Sequence, residues 1–304
     1  MNSILVVGTI RNGERSLQKE IRKCLNALSS FEKVSFYLVE SDSTDKSLEI
    51  LNKLKILNSN FDFISLGNVA SNIPEQYNRI RHCRNEYVKH LRILEEKPEF
   101  VLVVDLDGMN SALNSKSINS CFLRDDWDAV IANQTFGYYD ILALRHPRWQ
   151  ISDWRLDHEY YKNNLNRLEL SRSSIVNKIK KYLDLDKTQY LAIYSKMIMI
   201  PRKNEWIKVD SGFGGAAIYK SQVFLNYDYS KEFETNETDH VTLHRKLIRD
   251  GGRIFINPAF INSHFNTYNL NKFFIIRSFR TFVWNKKFIY ESKFYKILKK
   301  LIKI

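Results

Sequence analysis

The sequence predicts an α/β protein: a Rossmann-like mixed sheet flanked by helices, followed by a basic helical extension at the C-terminus. Three observations predict it. Over the first hundred residues, short apolar β-branched runs alternate with segments of helical periodicity. The runs end in polar loops, the place where open α/β sheets bind ligands. From residue 266 onward, ten Lys and Arg stand against a single acid, Glu291, a net charge of +9 interleaved with large apolar side chains.

Residues 3–7 read as a buried strand, and 16–28 as a helix with Leu17, Ile21, Leu25 and Leu28 on one face. Residues 34–39 form a second strand ending in Glu40-Ser41-Asp42-Ser43-Thr44-Asp45, which opens a helix over Leu48, Leu51 and Leu54. A third strand at 61–66, a helix from about Glu75 to Leu94 and a fourth strand at 99–104 follow, the last running into Asp105-Leu106-Asp107. After a short strand at 129–133 the rhythm loosens. Residues 136–201 are rich in Trp, Tyr, Arg and Asn and read as an insertion that shapes a pocket. Regular structure returns at 210–219, then Thr238 caps a helix carrying Val241, Leu247 and Ile248, closed by Gly251-Gly252. A strand at 253–256 and the segment 257–265 complete a domain of 1–265. Its nucleotide-binding half is 1–133 and its acceptor half 134–265, with 266–304 as the extension.

At 304 residues, 44% hydrophobic and 27% charged, the chain is neither disordered nor fibrous. Apolar runs reach only five residues, too few for a membrane-spanning helix, and the N-terminus does not read as a secretory signal. Three cysteines (Cys24, Cys83, Cys121) without a CxxC imply reduced thiols, a cytoplasmic chain and no zinc knuckle. The net charge of +13 calls for a polyanionic partner. Its concentration in the tail favours an anionic membrane surface over nucleic acid, which is not expected as a partner.

Two carboxylates one residue apart at a strand end, Asp105 and Asp107, suit a hard divalent cation with its diphosphate, so Mn²⁺ or Mg²⁺ is the expected cofactor. His240 and His244, at i and i+4, lack the acid of a zincin between them and read as helix surface. Gly212-Phe213-Gly214-Gly215 reads as a place of close backbone approach to a sugar. Trp149, Trp154, Trp206, Tyr138, Tyr139 and Tyr160 are candidates to stack on sugar faces, or core aromatics.

Several segments taken together resemble a family. The Glu40–Ser47 loop is similar to the nucleotide loop of inverting sugar transferases, and Arg84-Asn85 to the pair that precedes their Asp-x-Asp. Arg11-Asn12-Gly13-Glu14 is similar to their first βα turn. The chain thus resembles a nucleotide-sugar glycosyltransferase of the GT-A type. Val209-Asp210-Ser211-Gly212-Phe213-Gly214-Gly215 and Glu237-Thr238-Asp239-His240 are closer to bacterial surface-polysaccharide transferases and, more distantly, to fungal capsule mannosyltransferases.

The resemblance implies a nucleotide-diphosphate-sugar donor contacted by Thr9, Arg11, Glu40, Asp42, Arg84 and Asp105. It implies a metal held by Asp107, Asp105 and His264. Asp239, with Glu237 second, becomes the base that deprotonates the acceptor. The acceptor is a growing bacterial surface glycan or a lipid-linked sugar, reached from the inner face of the cytoplasmic membrane through the tail. A nucleotidyltransferase, with the same Asp-x-Asp, and a basic nucleic-acid-binding protein are the rival readings. The first should carry a Gly-rich phosphate loop after the opening strand, where Gly8-Thr9-Ile10-Arg11-Asn12-Gly13 is a poor one.

Overall fold

The computed structural model describes residues 1–166, 187–231, 237–266, 268 and 270. It divides into two compact units, one of Met1–Ile151 with Met199–His264 and one of Ser152–Ile198 with Phe265–Ile304. The strands, all in the first unit, are β1 (Ser3–Ile10), β2 (Lys33–Glu40), β3 (Phe61–Ser65), β4 (Phe100–Val104), β5 (Ala129–Gln134), β6 (Ile207–Val209), β7 (Ala216–Lys220) and β8 (Ile254–Ser263). Helices among the described residues include α1 (Leu17–Ala27), α2 (Ser47–Leu57), α3 (Gln76–Ile93), α4 (Ser115–Asn119), α5 (Trp154–Asn166), α6 (Ser221–Asn226) and α7 (Asp239–Arg249).

One eight-stranded sheet orders its strands β3-β2-β1-β4-β7-β5-β8-β6. The first four are mutually parallel, because each βα unit returns the chain to the same end of the sheet. β7 enters antiparallel between β4 and β5, while β5 and β8 are again parallel and β6 runs antiparallel to β8 at the edge. The expected mixed α/β sheet flanked by helices is therefore the observed one. Residues 4–7 of β1 and the whole of β4 are continuous apolar runs because both faces are covered.

An aromatic cluster fills the amino ends of β2, β4 and β5. Phe100, Phe122 and Trp127 pack with ring centroids 4.9–5.9 Å apart, and Phe31 lies 5.6 Å from Phe122. The carboxyl ends of the strands are left to polar loops.

Differences from the expected elements have local causes. Leu25 is 41% exposed and Cys24 takes its place in the core, because the buried face of α1 runs through Leu17, Ile21, Cys24 and Leu28. β8 continues past 256 to Ser263 despite Pro258. Its register against β5 shifts on either side of Asn133, whose buried amide donates to Ile200 O (3.0 Å) and Pro258 O (3.1 Å). Thr238 holds the N-cap position of α7, yet its side chain makes no capping bond. β6, α4 and α6 are too short for periodicity to reveal.

In the second unit, α5 carries Asp157, whose carboxylate pairs with Lys196 at 2.6 Å. The basic stretch expected as an extension lies, from 271 to 304, outside the described residues. Among the described residues no helix is long and apolar enough to cross a membrane.

Candidate active site

With strand order 3-2-1-4, the chain leaves β1 for β2 on one side and later reaches β4 on the other, so the topological switch lies between β1 and β4. The two strands approach closely there: a Cβ at Gly8 would stand 2.7 Å from Val104 O. Asp105-Leu106-Asp107 emerges at this point. Ser16, before α1, donates its hydroxyl to Leu106 O at 2.6 Å, and Asp105 N–H donates to Gly215 O at 2.9 Å.

A buried amide network fixes the rest of that loop. Asn110 Nδ2 donates to Asp105 O (2.6 Å) and to Glu20 Oε2 (2.7 Å). Asn262 Nδ2 donates to Gly214 O (2.9 Å) and Asn110 Oδ1 (3.3 Å), and Gln134 Nε2 donates to Asn262 Oδ1 (2.9 Å) and Gly214 O (2.8 Å). Asn110, Gln134 and Asn262 are fully buried, so this network costs much if half-satisfied and holds the loop rigidly when complete. Gly214 and Gly215 adopt φ of +66° and +80°, and a Cβ on Gly214 would meet Ala132 O at 2.6 Å. The glycine pair thus serves close packing of the chain on itself.

Arg84, on α3, is the hub. Its Nε lies 2.6 Å from Asp239 Oδ2 and its Nη2 3.5 Å from Asp105 Oδ1. The guanidinium stands over the rings of Phe213 (5.1 Å) and Tyr229 (5.7 Å). Burial works against its charge, but Asp239 in particular holds the guanidinium firmly protonated, well above its usual range. Around it, Asp105, Asp107, Asp140 and Asp239 form a field in which carboxylates outnumber the guanidinium. Burial pushes Asp105 up to about 8, with Arg84 opposing and the three other carboxylates adding to the rise. Asp107 is exposed at the loop tip.

His240 and His244 were expected on the helix surface and are instead buried, because the first two turns of α7 are covered on nearly every side. The His244 ring bridges Ser211 Oγ (3.0 Å) and Tyr219 Oη (2.9 Å), and burial lowers it to about 3. The His240 ring stacks on Phe213 at 3.9 Å. Its nitrogens have no hydrogen-bond partner among the described residues, and burial, with Arg84 and His244, drives it well below its ordinary value. Both rings are neutral packing elements behind Arg84.

The loop after β2 is laced to the loop after β1. Asn12, Gly13 and Glu14 donate their N–H groups to Ser43 Oγ (3.0 Å), Ser47 Oγ (2.7 Å) and Asp45 Oδ2 (3.0 Å). Glu40 is 1% exposed and accepts from Ser43 N–H (3.0 Å) and the Ser65 hydroxyl (2.5 Å). Asp42, at φ +58°, accepts from Ala70 N–H at 2.8 Å. Thr9 is half-buried near the end of β1, and Arg11 is exposed just beyond it.

Of the residues singled out in the sequence, the structure brings together Arg84, Asp105 and Asp239. Glu237 instead directs its carboxylate to Arg245 on the outside of α7. His264 is exposed, with Nδ1 2.8 Å from Thr135 Oγ1, and helps line a cleft of about 490 Å³ with Ala112, Asn114, Met199, Pro201 and Arg202. It does not join Asp105 and Asp107: among the described residues no three His, Cys, Asp or Glu side chains are grouped to hold a metal. Tyr138 is fully buried, its hydroxyl accepting from Phe213 N–H, and Trp149 packs on its ring at 5.3 Å.

Asp140, in the loop after β5, was missed. It sits in an aromatic-rich stretch with no motif of its own, and only its bond to Gly214 N–H, within electrostatic reach of Asp105, Asp239 and Arg84, marks it.

No protein-family model and no curated protein matches the sequence. Among solved structures, the chain is similar to the mannosyltransferase PcManGT from Pyrobaculum calidifontis in complex with GDP-Man and Mn²⁺. The TM-score is 0.47 and the identity 12%, over 93% of this chain and 65% of that one. It is also similar to S. aureus TarS 1-349 in complex with UDP-GlcNAc (TM-score 0.44, 13% identity, 94% of this chain and 68% of that one). A third is glucosyl-3-phosphoglycerate synthase from Mycobacterium tuberculosis in complex with Mn²⁺, UDP and phosphoglyceric acid (TM-score 0.36, 11% identity, 86% of this chain and 67% of that one).

Proposed function

We propose that this chain is a GT-A-type glycosyltransferase. It moves a sugar from a nucleoside-diphosphate donor to a growing bacterial surface glycan or a lipid-linked acceptor. One observation carries the reading: Asp105 and Asp107 leave β4 at the switch point, in a field where carboxylates outnumber the single guanidinium. That excess negative charge and the hard oxygen donors fit Mn²⁺ or Mg²⁺, which a protein commonly holds with one or two carboxylates plus substrate phosphates. Asp105 and Asp107 would hold the ion, and when bound it supplies positive charge against the departing diphosphate.

The remaining work falls to the chain's own groups. Arg84 fixes Asp105 and Asp239 in one arrangement, and the loops after β1 and β2, with Thr9, Arg11 and Asp42, border the nucleotide. Deprotonation of the acceptor falls to one of the carboxylates grouped around Arg84. The nucleotidyltransferase rival gains no support from the β1 loop, whose N–H groups at 12–14 are already spent on side chains of the β2 loop.

Thermal shift with UDP, GDP and CMP, each with and without Mn²⁺, tests this reading. One nucleoside diphosphate should stabilise the protein only with metal, by about 2.7 kcal/mol at a hundredfold excess over Kd. No stabilisation by any nucleotide, together with steeply salt-dependent RNA binding, would replace the transferase with a nucleic-acid-binding protein.

The basic residues 266–304 are proposed to hold the enzyme peripherally on the inner face of the cytoplasmic membrane. The full chain should pellet with anionic vesicles and release as salt rises. Indifference to such vesicles at low salt removes the membrane from the proposal.

A further inference from the structure

We propose that Asp140, rather than Asp239, takes the proton of the acceptor hydroxyl, and that Asp239 serves as the fixed counter-ion of Arg84. This assignment rests on the transferase reading above. The two carboxylates lie in one charged field but are held differently. Asp239 has a side chain only 7% exposed with Arg84 Nε at 2.6 Å. A proton landing there would leave a buried guanidinium facing a neutral partner, a costly arrangement. Asp140 is half-buried and forms no ion pair among the described residues. Its Oδ2 accepts from Gly214 N–H (3.1 Å) and its Oδ1 from Ala143 N–H (3.2 Å). Two neutral bonds, one to each oxygen, orient the group and leave each oxygen a further lone pair.

The Gly214-Gly215 turn ties this carboxylate to the donor side of the site. Gly214 N–H donates to Asp140, while Gly215 O accepts from Asp105 N–H at 2.9 Å. A single rigid turn therefore sets the spacing between the group facing the donor and the group placed to receive the acceptor proton. Among the described residues, the charged and titratable groups within electrostatic reach of Asp140 are Asp239 on α7, Arg84 on α3, Asp105 at the end of β4, Tyr219 on β7 and Tyr138 on its own loop. Burial dominates and raises Asp140, and Asp239 adds to the rise. The N–H groups of Gly214 and Ala143 and the charge of Arg84 oppose it without cancelling it. A raised carboxylate is the stronger base, the direction the task needs.

The step balances. The acceptor O–H bond breaks and its proton passes to the Asp140 carboxylate. The acceptor oxygen bonds to the anomeric carbon, and the bond from that carbon to the diphosphate oxygen breaks, its electron pair leaving with the nucleoside diphosphate.

Water can stand in for the acceptor, so the test needs only a donor: a panel of nucleotide sugars is scored for released nucleoside diphosphate using the full chain with Mn²⁺. On the donor that is cleaved, Asp140→Asn should lower turnover by about 10²–10⁴ while keeping its nucleotide-dependent thermal shift. Azide, a nucleophile with no proton to lose, should restore turnover in that variant and yield the glycosyl azide. Asp140→Glu keeps a carboxylate and should move the acidic limb of the pH–rate profile, whether or not the Asn variant folds. Turnover of Asp140→Asn within a few-fold of wild type overturns the assignment. So does an unmoved limb in the Glu variant, or azide rescue of Asp239→Asn in place of Asp140→Asn. A wild-type chain that cleaves no donor in the panel overturns the transferase reading, and this assignment with it.

Discussion

The loops after β2 and β4 stand on either side of β1, both rich in acids, and they spend their carboxylates in opposite ways. In the β2 loop, Glu40, Asp42 and Asp45 accept hydrogen bonds from the chain's own N–H and hydroxyl groups. In the β4 loop, neighbours do the holding: Ser16, Glu20 and Asn110 fix the backbone, and the Asp105 carboxylate is left facing the Arg84 guanidinium. The titration behaviour follows. Burial opposes ionisation of Asp45 but is outweighed by bonds from Ser47 and Glu14, which hold it below the usual carboxylate range, whereas burial carries Asp105 up to about 8. An acid next to a strand end is thus a scaffold where the backbone reaches it and a ligand-facing group where side chains relieve it of that duty.

The comparison breaks most visibly at Arg84. Arg84→Met should destabilise the fold by about 3–5 kcal/mol in denaturant titration, because it leaves the buried Asp239 carboxylate without its cation. A loss below about 1 kcal/mol would mean that the β4 loop does not depend on that guanidinium.

A crossed pair of substitutions then separates scaffold from ligand. Glu40→Gln places an NH₂ against a donor in a buried site and should cost about 1–3 kcal/mol of stability. Asp107→Asn, at an exposed loop tip, should change stability by less than about 0.5 kcal/mol yet abolish metal-dependent nucleotide binding. The reverse pattern in the two assays would exchange the roles of the loops.

The most gradual effect is in pH. Folded Asp105 keeps its proton between 3.8 and about 8, where the unfolded chain has lost it, so stability of the metal-free protein should fall as pH rises through that window. The slope is at most about 1.4 kcal/mol per pH unit, and less for a side chain one-third exposed. Asp45 has the opposite sign: its contribution is present above the ordinary carboxylate range and lost as pH falls below it. Asp105→Asn should flatten the profile on the neutral side and Asp45→Asn only on the acid side. Identical profiles for the two variants would remove the distinction.

The alternation of β1 to β4 with α1 to α3, the ends of β2 to β5 to within a residue and the position of Asp105 and Asp107 were legible in the sequence, because apolar period and turn chemistry are local properties of the backbone. Arg84 and Asp239 stood out as separate motifs, but nothing in either segment said that they would meet at 2.6 Å. Nor did local pattern reveal that Glu40 would be sealed against Ser65, that His240 and His244 would be buried, or that Asp140 would be drawn in beside Asp105. Those outcomes depend on which strands neighbour one another, above all on β7 entering between β4 and β5 and bringing the Gly214-Gly215 turn against Asp105. Period constrains a residue's face. Only the packed sheet, by bringing together groups distant in the chain and excluding water from them, decides which charges pair, which stay neutral and which are left to face a ligand.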